Sequence, residues 1–205
     1  MEETIGSDKM GHYFINDETL RSNIKETHIH IRNQEYTFYT DHGVFAKKGL
    51  DLGTHILLNT VLGESLHGDI LDLGCGYGPI GISIKKEKAD TNVDMVDINN
   101  RSLNLASKNA SANGVAVSIF ESDGYTNITK KYDYIISNPP IRVGKKILYE
   151  LLFGAKEHLK PGGELWIVIH KDHGAKSTLK NLADEYQVEI KNKEKGFFII
   201  RAVNN

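Results

Sequence analysis

Asp72-Leu73-Gly74-Cys75-Gly76-Tyr77-Gly78-Pro79 is the stretch on which the fold of this chain turns. A short apolar run, Ile70 to Leu73, precedes it, and a helix-patterned run from Pro79 to Lys88, with Ile80 and Ile84 on one face, follows it. The glycines therefore occupy a strand-to-helix turn. Glycine tolerates φ > 0 and lets a backbone come close to a ligand. Pro79 suits the first turn of a helix, where its missing N–H costs nothing. The next apolar run, Val93 to Val96, ends at Asp97. An acid there can accept hydrogen bonds from the hydroxyls of a ribose. Asp72 is expected to accept backbone N–H bonds and hold the turn. Cys75 has no feature around it that would lower its pKa, so it reads as a small buried residue and not a nucleophile.

Two registers of the glycines imply two ligands. Gly76, Gly78 and Gly81 satisfy G-x-G-x-x-G with an acid following at Asp97, so NAD is an alternative on this motif alone. That register begins late relative to the strand end, and its third glycine falls inside the helix, after Pro79. The Gly74, Gly76, Gly78 register keeps all three glycines in the turn. It suits an adenosine-containing cofactor without a pyrophosphate.

Outward from the turn, strand and helix patterns alternate from residue 70 to residue 185. Asn99 can cap a helix running to about Ala112, closed by Gly114. Val115 to Phe120 reads as the third strand and Tyr132 to Ser137 as the fourth. A helix over Lys146 to Leu159, a turn at Pro161-Gly162-Gly163, a fifth strand over Glu164 to Ile169 and a helix over Ala175 to Glu185 follow. Tyr186 to Ile190 and Phe197 to Ala202 form a closing antiparallel pair around Lys193 to Gly196. This rhythm means βαβ units, hence an α/β, Rossmann-like, doubly wound and mostly parallel sheet. Ahead of it lie a helix over Leu52 to Leu62 and a glycine-punctuated loop over Asp41 to Asp51. Asn23 to Arg32 alternates apolar and polar residues, and with Glu35 to Tyr39 it suggests a hairpin turning at Asn33 and Gln34. His28 and His30 then face solvent. The expected division is an N-terminal extension over residues 1–40, with a loosely packed lead-in to residue 22, and a catalytic domain over 41–205.

Composition narrows the class. Of 205 residues, 40% are hydrophobic and 25% charged, which is ordinary for one soluble domain with a sizeable core. No run approaches the ~20 apolar residues of a membrane span. The polar start does not read as a signal peptide. A single cysteine excludes an intrachain disulfide, so a cytoplasmic, reducing location is expected. The net charge of −2 gives no global pull toward nucleic acid, although a local basic patch would suffice.

Asn138-Pro139-Pro140-Ile141 ends the fourth strand. The prolines stiffen the corner and remove two backbone donors. What remains is a set of acceptors, the Asn138 side-chain oxygen and nearby carbonyls, suited to the hydrogens of a planar amine. A plain strand-ending turn is the alternative. Asp123 and Gly124, just after the third strand, lie where a base ring would meet the carboxyl ends of the strands.

Residues 41 to 202 resemble a class I S-adenosylmethionine-dependent methyltransferase, most like the short single-domain form of the C-type small-subunit ribosomal RNA guanine-N2 methyltransferase family. The resemblance is carried by Asp41-His42-Gly43-Val44-Phe45, Gly49-Leu50-Asp51-Leu52-Gly53-Thr54, the glycine turn through Gly81, Val96-Asp97, Ser137-Asn138-Pro139-Pro140-Ile141-Arg142 and Lys160-Pro161-Gly162-Gly163. It implies a seven-stranded sheet with the last strand antiparallel and S-adenosyl-L-methionine as cofactor. By the same resemblance, Gly74, Gly76 and Gly78 pass the methionine part, with Asp72 in the same turn. Asp97 holds the ribose beside Ile98, and Asp123 with Gly124 meets the adenine. Asn138 and Pro139 are then catalytic, binding the target amine, and Asn138 is also among the cofactor-binding residues. Phe45, Pro140, Ile141, Arg142, Lys145, Lys146 and Lys171 line the substrate side. No metal is implied. The partner is ribosomal RNA or the small subunit, and the chain is expected to be a monomer or weak homodimer. Two features depart from the family. Long members carry a degenerate second copy of the domain ahead of the catalytic one, whereas about 40 residues precede the pattern here. Ile169-His170-Lys171-Asp172-His173-Gly174-Ala175 also stands where short members have a more basic run. The rival classes are an enzyme acting on another nucleic-acid, protein or small-molecule amine, and a catalytically silent RNA-binding domain.

Overall fold

A computed structural model of the chain describes residues 23–41, 49–140 and 144–205. Phe45, Ile141 and Arg142 lie outside the described residues, as does the lead-in. Nine strands and five α-helices follow one another among those described. They are β1 (Lys25–Ile31), β2 (Gln34–Thr40), α1 (Leu52–Val61), β3 (Asp69–Leu73), α2 (Pro79–Glu87), β4 (Asn92–Asp97), α3 (Asn100–Ala112), β5 (Ser118–Glu121), β6 (Tyr132–Ser137), α4 (Lys145–His158), β7 (Leu159–His170), α5 (Ala175–Leu182), β8 (Gln187–Glu194) and β9 (Phe197–Val203).

The seven-stranded sheet runs β5-β4-β3-β6-β7-β9-β8. Pairs from β5 through β7 are parallel, and β9, the last strand, is antiparallel to both of its neighbours. This is the Rossmann-like sheet expected from the β–α alternation. Its strands read as near-continuous apolar runs because both faces are covered. Side chains on alternate positions supply two separate cores. Ile70, Ile136, Trp166 and Val168 join one with residues of α1, α2 and α3. Leu71, Ile135, Leu165 and Ile167 join the other with residues of α4 and α5.

The hairpin β1-β2 forms a separate two-stranded sheet, yet Ile31, Tyr36 and Phe38 are fully buried in the first core. The outer edge of β2 would leave backbone groups unpaired, and Asn109 of α3 and the C-cap of that helix, Asn113, satisfy them. Asn113 receives the Thr37 N–H at 3.1 Å and gives its amide to the Thr37 carbonyl at 2.7 Å. Asn109 does the same for Tyr39 at 2.6 and 3.0 Å. The same Asn109 amide reaches the Tyr77 carbonyl at 2.8 Å, so one side chain ties the hairpin to the glycine turn.

Several boundaries differ from the sequence expectation. The first hairpin turns on Arg32 and Asn33, because Ile31 already pairs with Gln34. The third strand begins at Ser118 and not Val115. Val115 instead gives its N–H to the Ala110 carbonyl at the end of α3. Pro161-Gly162-Gly163 does not separate a helix from a strand. It lies within β7, which starts at Leu159 opposite Tyr132, and a register shift absorbs the irregularity. α5 stops at Leu182, before Glu185. The closing hairpin pairs through Lys193 and Glu194, and its turn is Lys195-Gly196, both at positive φ, as a two-residue hairpin turn requires. Among the described residues, no helix is long and apolar enough to cross a membrane.

Candidate functional site

Parallel register brings the carboxyl ends of β3, β4, β5, β6 and β7 to one edge of the sheet. The residues singled out from sequence, where described, follow those ends. Gly74, Gly76 and Gly78 come after β3, Asp97 and Ile98 close β4, and Asp123 and Gly124 come after β5. Asn138, Pro139 and Pro140 come after β6, and Lys171 after β7. Backbone bonds draw the ends together. The Cys75 N–H reaches the Val96 carbonyl at 2.8 Å, and the Ser122 N–H reaches the Asp97 carbonyl at 3.1 Å. The Ser137 hydroxyl donates to the Leu73 carbonyl at 2.7 Å.

The three glycines of the turn all have positive φ, but they divide by what surrounds them. A Cβ built on Gly74 or Gly76 would meet nothing within 4 Å. One on Gly78 would lie 2.7 Å from Met95 Cε and 2.8 Å from Ile82 Cδ1. Gly74 and Gly76 thus leave an open cradle, while Gly78 allows the start of α2 to sit on β4. Gly81 serves that packing too, since its Cβ would fall 2.6 Å from Met95 Cγ.

Two carboxylates brace the turn. Asp72 accepts the Gly81 N–H at 2.8 Å on Oδ2. Its Oδ1 is buried and has no hydrogen-bond partner. Burial raises the Asp72 carboxyl to about 7, with the charge of Asp97 adding to the rise and the Gly81 bond opposing it. Asp97 accepts the Gly76 N–H at 2.8 Å and the Asn99 N–H at 2.9 Å. Burial raises its carboxyl as well, against those backbone bonds. Cys75 is 4% exposed, and burial, then Asp72 and Asp97, push its thiol well up. A thiolate is disfavoured there, as the sequence suggested. Asp123 is exposed, with Gly124 and Ile98 half-buried beside it.

At the fourth strand end, Pro139 is buried and Asn138 and Pro140 are half-buried. The Asn138 Nδ2 donates to Asp51 Oδ2 at 3.0 Å and to Thr54 Oγ1 at 2.9 Å. Neither partner was singled out as a site residue from sequence. Asp51 is the N-cap of α1, accepting the Gly53 N–H at 2.9 Å and the Thr54 N–H at 3.2 Å. An aspartate before an apolar run signals such a cap, but the cap gives no hint of a contact with a residue so distant in sequence. With its NH₂ held, Asn138 keeps Oδ1 for another partner. Lys145, Lys146 and Lys171 are exposed. Lys146 comes only within 3.9 Å of Glu150, an exposed pair worth little.

The methyltransferase small-domain family matches residues 35–201. The chain belongs to that family. It is 40% identical over 195 residues, 93% of this chain and 97% of the relative, to the uncharacterised protein YbxB of Bacillus subtilis (strain 168). It is 37% identical over 187 residues to the ribosomal RNA small subunit methyltransferase C of Haemophilus influenzae (strain PittGG), covering 89% of this chain and 56% of that one. The chain thus spans little more than half the length of that relative. Among solved structures, the T. thermophilus 16S rRNA N2 G1207 methyltransferase (RsmC), in complex with AdoMet and guanosine, superposes with a TM-score of 0.81 at 24% identity. That superposition covers 91% of this chain and 52% of the other, and it establishes the shared fold.

The residues at the strand edge fit S-adenosylmethionine. Gly74 and Gly76 form a cradle that side chains would fill. The orphaned Asp72 oxygen is an acceptor awaiting a donor. Asp97, at the end of β4 beside the turn, suits the hydroxyl pair of a ribose. The family match makes this the domain of an S-adenosylmethionine-dependent methyltransferase, and the NAD alternative loses its footing.

Proposed function

We propose that this protein transfers a methyl group from S-adenosylmethionine to the exocyclic N2 amine of a guanine in small-subunit ribosomal RNA. The observation that carries the amine is the side chain of Asn138. Its NH₂ is taken up by Asp51 and Thr54, so its oxygen is the group left to receive hydrogens from a substrate. The name of the H. influenzae relative supports small-subunit ribosomal RNA as the substrate, and that of the T. thermophilus enzyme supports guanine N2 as the position.

When bound, the cofactor supplies an electrophilic methyl carried on a sulfonium sulfur. Gly74 and Gly76 would pass its methionine part, with the Asp72 carboxyl buried beneath the turn on the side of its ammonium. Asp97, with Ile98 alongside, would take the ribose hydroxyls, and Asp123 with Gly124 would meet the adenine. Asn138 Oδ1 and the Pro139 carbonyl would hold both hydrogens of the target amine, aiming its lone pair. The part of these residues would be to aim the amine at the methyl that the cofactor supplies, with the nitrogen giving up one of its held protons once methylated. Alignment carries most of such a reaction. Cys75 is buried with a raised pKa and has no part in it. A guanine inside a helix must be exposed or flipped before the corner can reach it. Pro140, Phe45 and Ile141 would line the mouth, while Arg142, Lys145, Lys146 and Lys171 would meet phosphates. Incubation with labelled S-adenosylmethionine and, separately, ribosomal RNA, small subunits and total protein tests this reading. Label on guanine N2 is the expected product. Label on another base or on protein moves the substrate, and cofactor binding without any label would mark a silent RNA-binding domain.

A further inference from the structure

An amide side chain can turn over, exchanging its donor and acceptor ends, and the two forms offer a substrate opposite chemistry. At Asn138 the choice is made by α1. Asp51 Oδ2, 3.0 Å from Asn138 Nδ2, is a carboxylate oxygen and can only accept. Thr54 Oγ1, 2.9 Å from the same nitrogen, has its own proton committed to Asp51 Oδ2. Both neighbours therefore demand a donor, and a turned-over amide would set oxygen against oxygen at both contacts. Asp51 is itself fixed by the N–H groups of Gly53 and Thr54. Gly53 lies against β9 so closely that a Cβ there would be 2.9 Å from Phe197 Cε1. Thr54 is 4% exposed. The pair is thus packed against the sheet.

We propose that Asp51 and Thr54 are positioning residues that lock Asn138 as an acceptor toward the substrate, and thereby select a target nitrogen bearing hydrogens over a carbonyl oxygen or a ring nitrogen without one. This rests on the methyl-transfer reading of the Asn138 corner. Asp51 is not a base for the reaction, because both of its oxygens are already bonded to α1 or to Asn138.

The test compares Asp51→Asn, Thr54→Val, Asn138→Asp and the double variant Asp51→Asn/Asn138→Asp in labelled methyl transfer to the substrate that the unaltered protein modifies. Asparagine remains a good N-cap, so melting temperature and cofactor Kd by calorimetry should stay close to those of the unaltered protein. Asp51→Asn and Thr54→Val should each lower kcat roughly tenfold, with KM for RNA changed less than about twofold. Asn138→Asp sets two carboxylates against each other and should lower kcat further. The double variant restores a donor–acceptor pair across the contact with the ends exchanged. It should recover roughly tenfold over Asn138→Asp alone. Single variants with undiminished kcat, a loss confined to KM, or a double variant no better than Asn138→Asp would each overturn the lock. If the unaltered protein labels no nitrogen on any substrate, the methyl-transfer reading falls first and the lock with it.

Discussion

Replacing Asp72 by asparagine should remove a proton that cofactor binding releases. In the folded protein burial pushes the Asp72 carboxyl up from an ordinary 3.8 to about 7. One of its oxygens has no partner. A cationic ammonium held in the glycine cradle would favour the ionised form through space, so binding would be coupled to loss of the proton. With a pKa near 7, about 9% of the carboxyl is ionised at pH 6 and about half at pH 7, so affinity should rise about fivefold across that unit. The cofactor's own ammonium stays largely protonated over the same range. Calorimetry at pH 7 in two buffers of different ionisation enthalpy should report about half a proton released per cofactor bound. Asp72→Asn keeps an acceptor for the Gly81 N–H but presents an amide where the charge stood. At pH 8 it should bind on the order of 10- to 100-fold more weakly, the loss of a charged hydrogen bond at roughly 1.5–3 kcal/mol. Its pH slope should be shallower, with Asp97, also raised, supplying what remains. Stability moves in the opposite sense. A folded pKa above the unfolded one contributes stability that is complete below about 4 and lost as pH rises through about 7. The variant should therefore gain in melting temperature relative to the unaltered protein between those limits. An affinity independent of pH, or the same slope and proton count in Asp72→Asn, would refute the assignment of the orphaned oxygen to a cationic ligand.

Other expectations can be checked alongside it. Asn138→Ala should retain the fold and cofactor affinity while losing on the order of 100-fold in kcat, measured with labelled cofactor. Cys75→Ser should change kcat by less than about threefold, since no mechanism places its buried thiol on the reaction path. Gly81→Ala should lower stability by roughly 1–3 kcal/mol in denaturant titration, because the new methyl meets Met95 and Asp72. Gly74→Ala, which meets open space but keeps a strained positive φ, should weaken cofactor binding more than it lowers the melting temperature. Alanine at Arg142, Lys145, Lys146 and Lys171 together should weaken RNA binding and flatten its salt dependence by roughly 0.7–0.9 in log–log slope per lost phosphate contact, with cofactor affinity intact.

The parallel sheet was legible because burial on both faces writes itself into short, continuous apolar runs, and because Gly74 and Pro79 mark where strand gives way to helix. The antiparallel close was legible from a local turn, although Lys195 and Gly196 alone make it. Where local pattern and tertiary pairing compete, the sequence misled. Pro161-Gly162-Gly163 has the composition of a loop, yet Leu159 pairs with Tyr132 before it, so the strand starts earlier and carries the irregularity within itself. Val115 and Val117 have strand-forming side chains, but the end of α3 captures the Val115 N–H first. The site divides in the same way. Asp72, Asp97 and the glycines lie within one βαβ unit, so their spacing reveals them. The contacts of Asn138 with Asp51 and Thr54, and of Asn109 with both Tyr39 and Tyr77, join segments far apart in sequence through side-chain amides. An asparagine has no period and no charge to betray such a bond. Asn109 is fully buried and must have its donors and acceptors matched, because an unmatched amide there would cost about 1–3 kcal/mol. Half-buried Asn138, by contrast, has its NH₂ matched and its oxygen left for a substrate. The same requirement that hides them from pattern reading makes them specific. Asn109 fixes the hairpin to the turn that cradles a ligand, and Asn138 is oriented by the cap of a helix whose sequence announces only that a helix begins.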